Sequence, residues 1–340
     1  MSHSETTLEP IAPDDAVDLY LTDRRAELAS QTLDSYAYKL SHFTEWCESE
    51  GIGNLNELTG RRLLAFKQHR AQDLAPVSLK AQLDTLRSFV RFCESIDAVE
   101  QDLHNKVLSP SLNQGDRERD VLVDKEQAER VLTYLARFKF ASMHHTLLSV
   151  LWRCGVRSGT IRAFDVQDYD RENARLRAVH REGTPLKNKE NGERLIALSS
   201  DTCQVLNDYV DHTRDDVVDD DGRQPLFTTQ FGRVSRSTIR ATCYKWTHPC
   251  QYNGGQCPHG KEMDSCQALT TPNKAPSTCP SARSPHAWRR GAITHHLTED
   301  VPVEVVSDRM NVSPDVLEAH YDRRSEEVKV EQRRGYLEGL

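Results

Sequence analysis

Apolar residues recur at three- and four-residue spacing through the first third of the chain, which predicts a bundle of four to five helices. The pattern is carried by AVDLYLTDRRAEL, SQTLDSYAYKLSHFTEWCESEG, RRLLAFKQHRAQD and PVSLKAQLDTLRSFVRFCESI. Ser30 fits an N-cap for the second helix, Gly51 fits its end, and Pro76 fits the first position of the fourth. We therefore predict a helical domain over residues 13–108, preceded by a disordered tail at residues 1–12.

The rest of the chain mixes helical periods with a short alternating stretch. The polar segment SPSLNQGDRERD, residues 109–120, lacks any apolar period and predicts an interdomain linker, with a surface loop inside one domain as the alternative. Beyond it, Asp124 fits an N-cap, and ASMHHTLLSVLWRCGV is apolar enough for a buried helix. RLRAVHRE and ERLIALS alternate around the turn-rich KNKENG, which predicts two paired strands. Residues 121–340 thus form a second domain that is mainly α-helical with a small antiparallel β-sheet.

Length and composition fit a soluble two-domain protein. The chain has 340 residues, of which 37% are hydrophobic and 28% charged. No apolar run approaches the ~18 residues that span a bilayer, and the polar, acidic N-terminus resembles neither a signal nor a transit peptide. We therefore expect a cytoplasmic protein with no membrane partner.

The net charge of −8 argues against a nucleic-acid partner, because DNA-binding proteins are usually basic. A DNA site, however, needs only a local basic surface. Acidic runs such as residues 219–221 are typical of solvated surface. Acidic surfaces of this kind are common in proteins from organisms with a salty cytoplasm. Basic side chains that could follow phosphates, with an ordinary solvated face as the alternative, are Arg61, Arg62, Lys67, Arg70, Lys80, Arg87, Arg91 and, at helical spacing, Arg233, Arg236 and Arg240.

Nine cysteines divide into two groups. Four are scattered through apolar contexts, where a free buried thiol is usual: Cys47, Cys93, Cys154 and Cys203. The other five, from Cys243 to Cys279, crowd one segment, and in a long cytoplasmic chain such clustering favours a metal over disulfides.

The clustered cysteines lie mostly in a Cys-, Pro- and Gly-rich insertion over about residues 246–285. Structural zinc takes four tetrahedral sulfur or nitrogen ligands. We predict such a site, with His248 and His259 as spare donors, at Cys250, Cys257, Cys266 and Cys279. The spacing is not of the Cys-x-x-Cys type, so a set of reduced thiols is the alternative.

Three further motifs carry candidate chemistry. CGVRSGTIRAFDVQDYD places Arg157 after a buried helix and Asp168 about a dozen residues later, SPHAWRRGAITHHL contains His286 and Arg289, and DRMNVSPDVLEAHYD ends near Tyr321. Each motif is weak alone, because an arginine can be a surface residue and a tyrosine a packed aromatic. Together they supply what metal-free cleavage of a phosphodiester requires: a nucleophile that can form a covalent intermediate, and fixed cations for the charge that develops on phosphate oxygens.

In order and spacing these motifs resemble the tyrosine recombinases, or phage-type integrases, and the resemblance covers nearly the whole chain. It is Xer-like, and the acidic composition suits the haloarchaeal branch. The resemblance implies an N-terminal, helical SAM-like core-binding domain followed by a tyrosine-recombinase catalytic domain. It implies that Tyr321 is the nucleophile, that Arg157, His286 and Arg289 hold the scissile phosphate, and that Asp168 is structural.

The family also uses a lysine of the strand hairpin as general acid. Lys187, which we expect at the end of the first strand, is favoured over Lys189. The family's usual acid after the first arginine box is replaced by Thr160. Its second histidine is replaced by Asn311, or by Val312 in a gapless alignment, and an Asn can donate to phosphate but cannot exchange a proton near neutral pH.

The expected function is therefore site-specific recombination of double-stranded DNA through a covalent 3′-phosphotyrosine intermediate. The resemblance implies a homotetramer on synapsed sites, with the tail after Tyr321 docking on a neighbour, and no cofactor for the chemistry. Alternatives are a type IB-like topoisomerase, a non-catalytic DNA-binding regulator on the same fold, and a zinc-binding interaction module.

Overall fold

A computed structural model describes residues 7–112, 121–271, 276–321 and 326–337. By internal contacts the chain divides into two compact units, Met1–Arg119 and Asp120–Leu340. Residues 1–6 of the predicted tail and 113–120 of the predicted linker lie outside the described residues. Within the described ranges, no helix is both long and apolar enough to cross a membrane.

The first unit is a helical bundle around an aromatic core. Its helices are α1 (Pro13–Arg24), α2 (Ser30–Ser49), α3 (Gly60–Ala71) and α4 (Pro76–Ser95), with 3₁₀ turns at Leu55–Glu57 and Leu103–Lys106. Phe43 packs edge-on against Phe66 and Phe89, with ring centroids 5.3 and 6.1 Å apart, a geometry that aromatic pairs prefer. These rings come from three different helices, so the core is a tertiary contact that no single helix supplies.

The predicted helix signals in this unit are mostly confirmed. Pro76 opens α4, and Gly51, with φ +68°, takes the left-handed conformation just after α2. Ser30, however, is the first residue of α2, and its N-cap is Ala29. The prediction of Ser30 as the cap is therefore wrong by one position.

The second unit is built around α6 (Met143–Cys154), which is buried along most of its length. Ser142 caps its start by accepting a hydrogen bond from the His145 backbone N–H, and Gly155 ends it in the left-handed conformation. Around it pack α5 (Lys125–Phe138), α7 (Ser158–Ala163), α8 (Ser200–Asp208, continued by a π-turn at Tyr209–Thr213), α9 (Arg236–Thr247) and α11 (Pro285–Thr298).

A three-stranded antiparallel sheet lies in the same unit, in the order β1 (Tyr169–Asp170), β2 (Arg175–Ala178) and β3 (Arg194–Ala197). Leu176 faces Ile196 across the β2–β3 pair, and both are fully buried. The predicted strand pair is confirmed, but β2 ends at Ala178. Lys187 therefore lies within the long connection to β3 and not at a strand end.

A second hairpin, β4 (Thr228–Thr229) with β5 (Gly232–Arg233), precedes α9. Arg233 is in β5, and its guanidinium is ion-paired with Asp165 and Asp219. The prediction that Arg233 shares a phosphate-facing helix surface with Arg236 and Arg240 is therefore wrong, because its charge is taken up inside the protein.

The end of the second unit has a small apolar core of its own. It forms where α11 meets α12 (Val303–Met310) and α13 (Pro314–His320). Its buried members are Ile293, Leu297, Val306, Met310, Val312, Leu317 and Tyr321. Residues 322–325 lie outside the described residues, and after them α14 spans Glu326–Leu337.

At Gly291, the backbone of the segment before α5 lies close against the backbone of α11. A Cβ there would lie 1.8 Å from the carbonyl oxygen of Val123, whose N–H donates to Ala287 O at 3.1 Å. Gly→Ala inside a helix normally stabilises by about 1 kcal/mol. Gly291→Ala should instead destabilise the second unit by roughly 1–3 kcal/mol, because the chain before α5 must move away from α11.

Gly159→Ala is the matched control, because Gly159 is also helical and its added Cβ would meet only the flexible Arg236 side chain, at 3.9 Å. Thermal unfolding should show a lower melting temperature for Gly291→Ala and an unchanged or higher one for Gly159→Ala. Equal behaviour of the two variants would contradict the packing explanation.

Candidate active site

One open cavity of about 700 Å³ is lined by all six side chains that the sequence predicted as catalytic. They are Arg157, Lys187, His286, Arg289, Asn311 and Tyr321. They come from the end of α6, the β2–β3 connection, α11 and the α12–α13 region, so the fold collects residues from four separate parts of the chain. Their chemical roles stay predictions.

The two arginine motifs meet through a backbone turn. Arg157 is the N-cap residue of α7 and follows Gly155, whose left-handed conformation (φ +59°) turns the chain out of α6. The Gly155 carbonyl oxygen accepts a hydrogen bond from Arg289 Nη1 at 2.6 Å. The turn that presents Arg157 thus also anchors Arg289.

Arg289 is a buried cation without a carboxylate partner among the described residues. It is 1% exposed, and its Nε and Nη2 have no hydrogen-bond partner in the described ranges. Burial, and then the charge of Arg157, lower its pKa to about 10, while the neighbouring Tyr321 acts in the opposite direction. Donors left unsatisfied in this way are costly and rare in folded proteins.

Arg194, at the start of β3, adds a third guanidinium that sequence reasoning missed. It lines the same cavity, and Nη2 is buried without a partner in the described structure. Burial and then the charge of Arg157 lower its pKa to about 10. In the sequence Arg194 looks like an ordinary strand residue, and no signal distinguished it. Three arginines that disfavour one another's charge make the cavity a site for an anion.

Tyr321 and His286 stand side by side at the wall of this cavity. Tyr321 follows α13 and is 8% exposed, and its backbone carbonyl accepts a hydrogen bond from Thr294 Oγ1 at 2.9 Å. The two rings are 6.1 Å apart in an edge-to-face arrangement. Desolvation, and then the cations Arg290 and Arg289, lower the pKa of His286, which therefore favours its neutral form near pH 7.

Asn311 connects three parts of the site. It ends α12 in the left-handed conformation, with φ +50°. Its Oδ1 accepts from Asn188 Nδ2 at 2.6 Å and from Arg157 Nη1 at 3.3 Å, and its Nδ2 donates to the Asn191 carbonyl oxygen at 3.0 Å. Of the two alternatives at this position, Asn311 therefore presents its polar group to the cavity, whereas Val312 packs into the apolar core beneath Tyr321.

The two candidate lysines differ in position. Lys187 is exposed and lines the cavity, next to Asn188 of the Asn311 network. Lys189 begins the 3₁₀ turn Lys189–Gly192 and is not among the cavity-lining residues. The position of Lys187 is the one that suits a proton donor within the cavity.

The residues predicted to support the site are buried behind it. Asp168 accepts two hydrogen bonds from Arg181, at 2.6 and 2.8 Å, and one from the Asp165 backbone N–H at 2.8 Å. Thr160 is buried in α7. Asp168 thus fixes the segment between α7 and β1 from inside the protein.

The four predicted zinc ligands line a second, much smaller cavity of about 20 Å³. Burial raises the pKa of Cys250 and Cys279, and neighbouring thiols, including Cys257 and Cys266, raise it further. As placed, no three His, Cys, Asp or Glu side chains in the described ranges form a group that could hold a metal ion. The zinc site therefore stays a prediction.

Several of the basic residues considered for DNA contact are already engaged in ion pairs. Arg62 pairs with Glu57, and both Lys80 and Arg87 pair with Asp84. Arg61, Lys67 and Arg91 make no ion pair with the described residues of the first unit.

Comparison with known families agrees with the fold and with the arrangement of the site. Residues 122–324 match the phage integrase family, and residues 18–95 match the phage integrase N-terminal SAM-like domain. The chain belongs to the phage integrase family. This confirms the resemblance to tyrosine recombinases that the sequence motifs predicted.

The chain is similar to curated tyrosine recombinases named XerC. It is 23% identical over 241 residues to XerC of Shewanella amazonensis, covering 71% of this chain and 76% of that protein. It is 22% identical over 219 residues to XerC of Roseiflexus castenholzii, covering 63% of this chain and 66% of that protein.

Among solved structures, the chain is similar to the Tn1549 transposon integrase in complex with transposon right end DNA, with a TM-score of 0.66 and 14% sequence identity. The match covers 97% of this chain and 99% of the integrase chain. The chain is also similar to a lambda integrase dimer bound to a COC′ core site, with a TM-score of 0.63 and 10% sequence identity. That match covers 94% of this chain and 80% of the lambda integrase chain. These likenesses confirm the predicted fold class, a mainly helical chain with a small antiparallel sheet.

The crowded guanidiniums predict that the isolated protein binds a small oxyanion. Sulfate should raise the melting temperature of the second unit, by roughly 2–4 °C for each 1 kcal/mol that it adds to the free energy of unfolding at the concentration used. Chloride at the same ionic strength should have a smaller effect. The stabilisation should be lost in Arg157→Gln, which removes one of the three cavity arginines.

Arg177→Gln is the control, because Arg177 is exposed on β2 and makes no ion pair with the described residues. It should keep the full response to sulfate. An equal response of both variants would show that sulfate acts on the whole protein surface and not at the cavity.

Proposed function

We propose that this protein is a site-specific DNA recombinase of the integrase type, which cuts and rejoins strands through a covalent link between Tyr321 and a 3′ phosphate. One observation carries the proposal: the guanidinium of Arg289 is buried, its Nε and Nη2 have no hydrogen-bond partner among the described residues, and Arg157 and Tyr321 line the same cavity. A phosphodiester supplies the anion and the acceptors that this arrangement lacks.

The proposed reaction is a balanced phosphoryl transfer. The Tyr321 hydroxyl oxygen attacks the scissile phosphorus, the bond from phosphorus to the 5′ oxygen breaks, and a 3′-phosphotyrosine and a 5′-hydroxyl are formed. Arg157 and Arg289 hold the non-bridging oxygens, where negative charge develops. A 5′-hydroxyl of the partner strand then attacks the phosphotyrosine, which restores Tyr321 and joins the new strands.

Two protons move in the cleavage step. The neutral imidazole of His286, at the edge of the Tyr321 ring, is suited to hold or accept the phenol proton, because its pKa is lowered. Lys187 delivers a proton to the departing 5′ oxygen. No metal ion is needed in this scheme, because fixed guanidiniums take the place of a Lewis acid.

Asn311 is best assigned as a positioning residue. Both ends of its amide are occupied by protein groups, so it is not free to bind phosphate in this arrangement. It ties the connection that carries Lys187 to Arg157. Arg157 and the connection are thereby joined through the amide oxygen of Asn311, which accepts from both Arg157 and Asn188.

We further propose double-stranded DNA as the partner, bound by a homotetramer on two synapsed sites. Support for DNA comes from the fold, which is shared with integrases determined in complex with DNA. The exposed cations Arg61 and Arg91 of the first unit are candidates for phosphate contacts. The segment α14 after Tyr321 is the candidate for docking on a neighbouring subunit.

Two other functions use the same fold. A type IB-like topoisomerase would relax one supercoiled plasmid without joining two sites, so product analysis on one plasmid and on two recombining duplexes separates it from a recombinase. A non-catalytic DNA-binding regulator would make no covalent adduct at all. The simultaneous presence of Tyr321, Arg157, Arg289 and His286 in one cavity favours catalysis over regulation.

Replacement of Tyr321 by Phe should abolish covalent attachment to DNA, because it removes the attacking oxygen and leaves the ring packing intact. Because the target site is undefined, the wild-type protein is incubated with nicked fragments of source-genome DNA. Adducts are captured under denaturing conditions, and the attached DNA is sequenced. Recovered fragments should share one motif, and Tyr321→Phe should yield no adduct above background.

Tyr134→Phe is the matched control, because Tyr134 packs in α5 outside the cavity and its hydroxyl makes no hydrogen bond with the described residues. It should form adducts as the wild type does. Adducts that persist in Tyr321→Phe would refute the assignment of the nucleophile. Absence of adducts from the folded wild type on any of the genomic fragments would favour the regulator.

Lys187→Ala should slow cleavage by about 10²–10⁴-fold, the usual effect of removing a general acid, and Lys189→Ala should leave the rate nearly unchanged. A DNA substrate with sulfur in place of the 5′ bridging oxygen should restore Lys187→Ala, because a thiolate leaves without being protonated. Single-turnover cleavage on the recovered motif measures both effects. A lasting defect with the sulfur substrate would contradict a proton-donor role.

The same substrate tests the positioning role of Asn311. Asn311→Gly keeps the left-handed backbone and removes all three hydrogen bonds, so its effect is that of the side chain alone. Asn311→Gly should cleave DNA with the natural 5′ bridging oxygen roughly 10²-fold more slowly than the wild type does. Small misplacements of catalytic groups have effects of that size. DNA with sulfur in place of the 5′ bridging oxygen should restore part of the cleavage rate of Asn311→Gly. If the rate is not restored, Asn311 does not act through Lys187.

A further inference from the structure

The insertion between α9 and α11 has almost no apolar core to hold it together. From residue 248 to residue 284, Ala268 is the only described apolar side chain that is buried. Its regular structure consists of turns of three or four residues at Pro249–Gln251, Met263–Ser265, α10 (Gln267–Thr270) and Pro276–Thr278. A segment of this length without a core needs another source of order, and small domains commonly obtain it from disulfides or a metal.

Four cysteines surround one cavity in this segment. Cys250, Cys257, Cys266 and Cys279 are separated by six, eight and twelve residues in the sequence and still line the same space of about 20 Å³. That volume is close to what a single water molecule or ion occupies. None of the four forms a disulfide, and all are partly exposed, unlike the buried Cys47, Cys93, Cys154 and Cys243.

His248 lines the same cavity and carries an unsatisfied polar atom. It is 1% exposed, its Nε2 is 2.8 Å from the carbonyl oxygen of Pro276, and its Nδ1 has no hydrogen-bond partner among the described residues. Because Nε2 must donate to the carbonyl, Nδ1 is left as a lone pair. His248 is therefore a spare donor at the wall of this cavity, held in orientation by a backbone carbonyl as metal-binding histidines are.

We propose that this cavity is a structural zinc site, with the thiolates of Cys250, Cys257, Cys266 and Cys279 as its four ligands. Soft sulfur ligands select zinc over hard cations, and four of them complete a closed tetrahedral shell. The thiols as placed do not converge on one point. Each has a single side-chain torsion, and rotation between its staggered positions redirects the sulfur without moving the backbone.

The site would act on catalysis through position and not through chemistry. The segment runs from Cys279 through Arg283, whose backbone N–H donates to Thr247 Oγ1 at 2.9 Å, to Ser284, which caps α11. His286 and Arg289 lie in the first turns of that helix. Ordering the insertion at both ends therefore fixes the start of the helix that carries two cavity residues.

The test measures metal in the full-length protein. The protein is equilibrated with excess zinc, dialysed and analysed by inductively coupled plasma mass spectrometry. Wild type should retain about one zinc per chain, and the double variant Cys257→Ser/Cys266→Ser should retain none. Cys203→Ser, which changes a thiol on α8 outside the insertion, should retain zinc as the wild type does.

Limited proteolysis gives a second readout that does not depend on activity. Removal of zinc with a chelator should make residues 248–284 susceptible to cleavage, and addition of zinc should reverse this in the wild type but not in the double variant. A folded wild type that retains no zinc, or four cysteines found as disulfides under reducing purification, would overturn the proposal. So would zinc retained equally by the double variant. None of these outcomes bears on whether Tyr321 attacks DNA.

Discussion

The hydrogen bond from Arg289 Nη1 to the carbonyl oxygen of Gly155 joins the two parts of the chain that supply Arg157 and Arg289. Gly155 can accept this bond because it takes a left-handed conformation, and a Cβ there would lie 2.4 Å from Met310 Sδ. The same turn therefore fixes Arg289, delivers Arg157 and receives the helix that ends at Asn311. A guanidinium buried in this way costs several kcal/mol of desolvation, which a folded protein tolerates where function needs it.

Tyr321, the proposed nucleophile, depends on a different set of contacts. Tyr321 belongs to a small apolar core formed with Leu317, Val306 and Met310, separate from the main core of the unit. Its backbone is held by Thr294 of α11, the helix that also carries His286 and Arg289. A small separate core can open without disturbing the main core, which suits the proposed role of Tyr321 in attacking a phosphorus atom and later leaving it.

The charges of the protein are divided between structural and functional uses. Asp165 is almost fully buried and forms ion pairs with Arg181, Arg223 and Arg233. These arginines are neutralised inside the fold, whereas Arg157, Arg194 and Arg289 share a cavity and form no ion pair within the part of the chain that the structure describes. The net charge of −8 is therefore compatible with a strongly cationic site, because the sum over the chain does not report where charges are left unpaired.

The sequence by itself determined the helical first unit, the paired strands of the second unit and six of the residues that line the cavity. Helical periodicity and caps act locally, and the three motifs keep their order and spacing, so both can be read from the chain. Only the tertiary structure decided that Arg194 joins the site, that Arg233 does not face solvent, that Lys187 and not Lys189 lines the cavity, and that the Asn311 amide is occupied by protein groups. Each of these depends on which distant segments the fold brings together, and neither periodicity nor spacing encodes that arrangement.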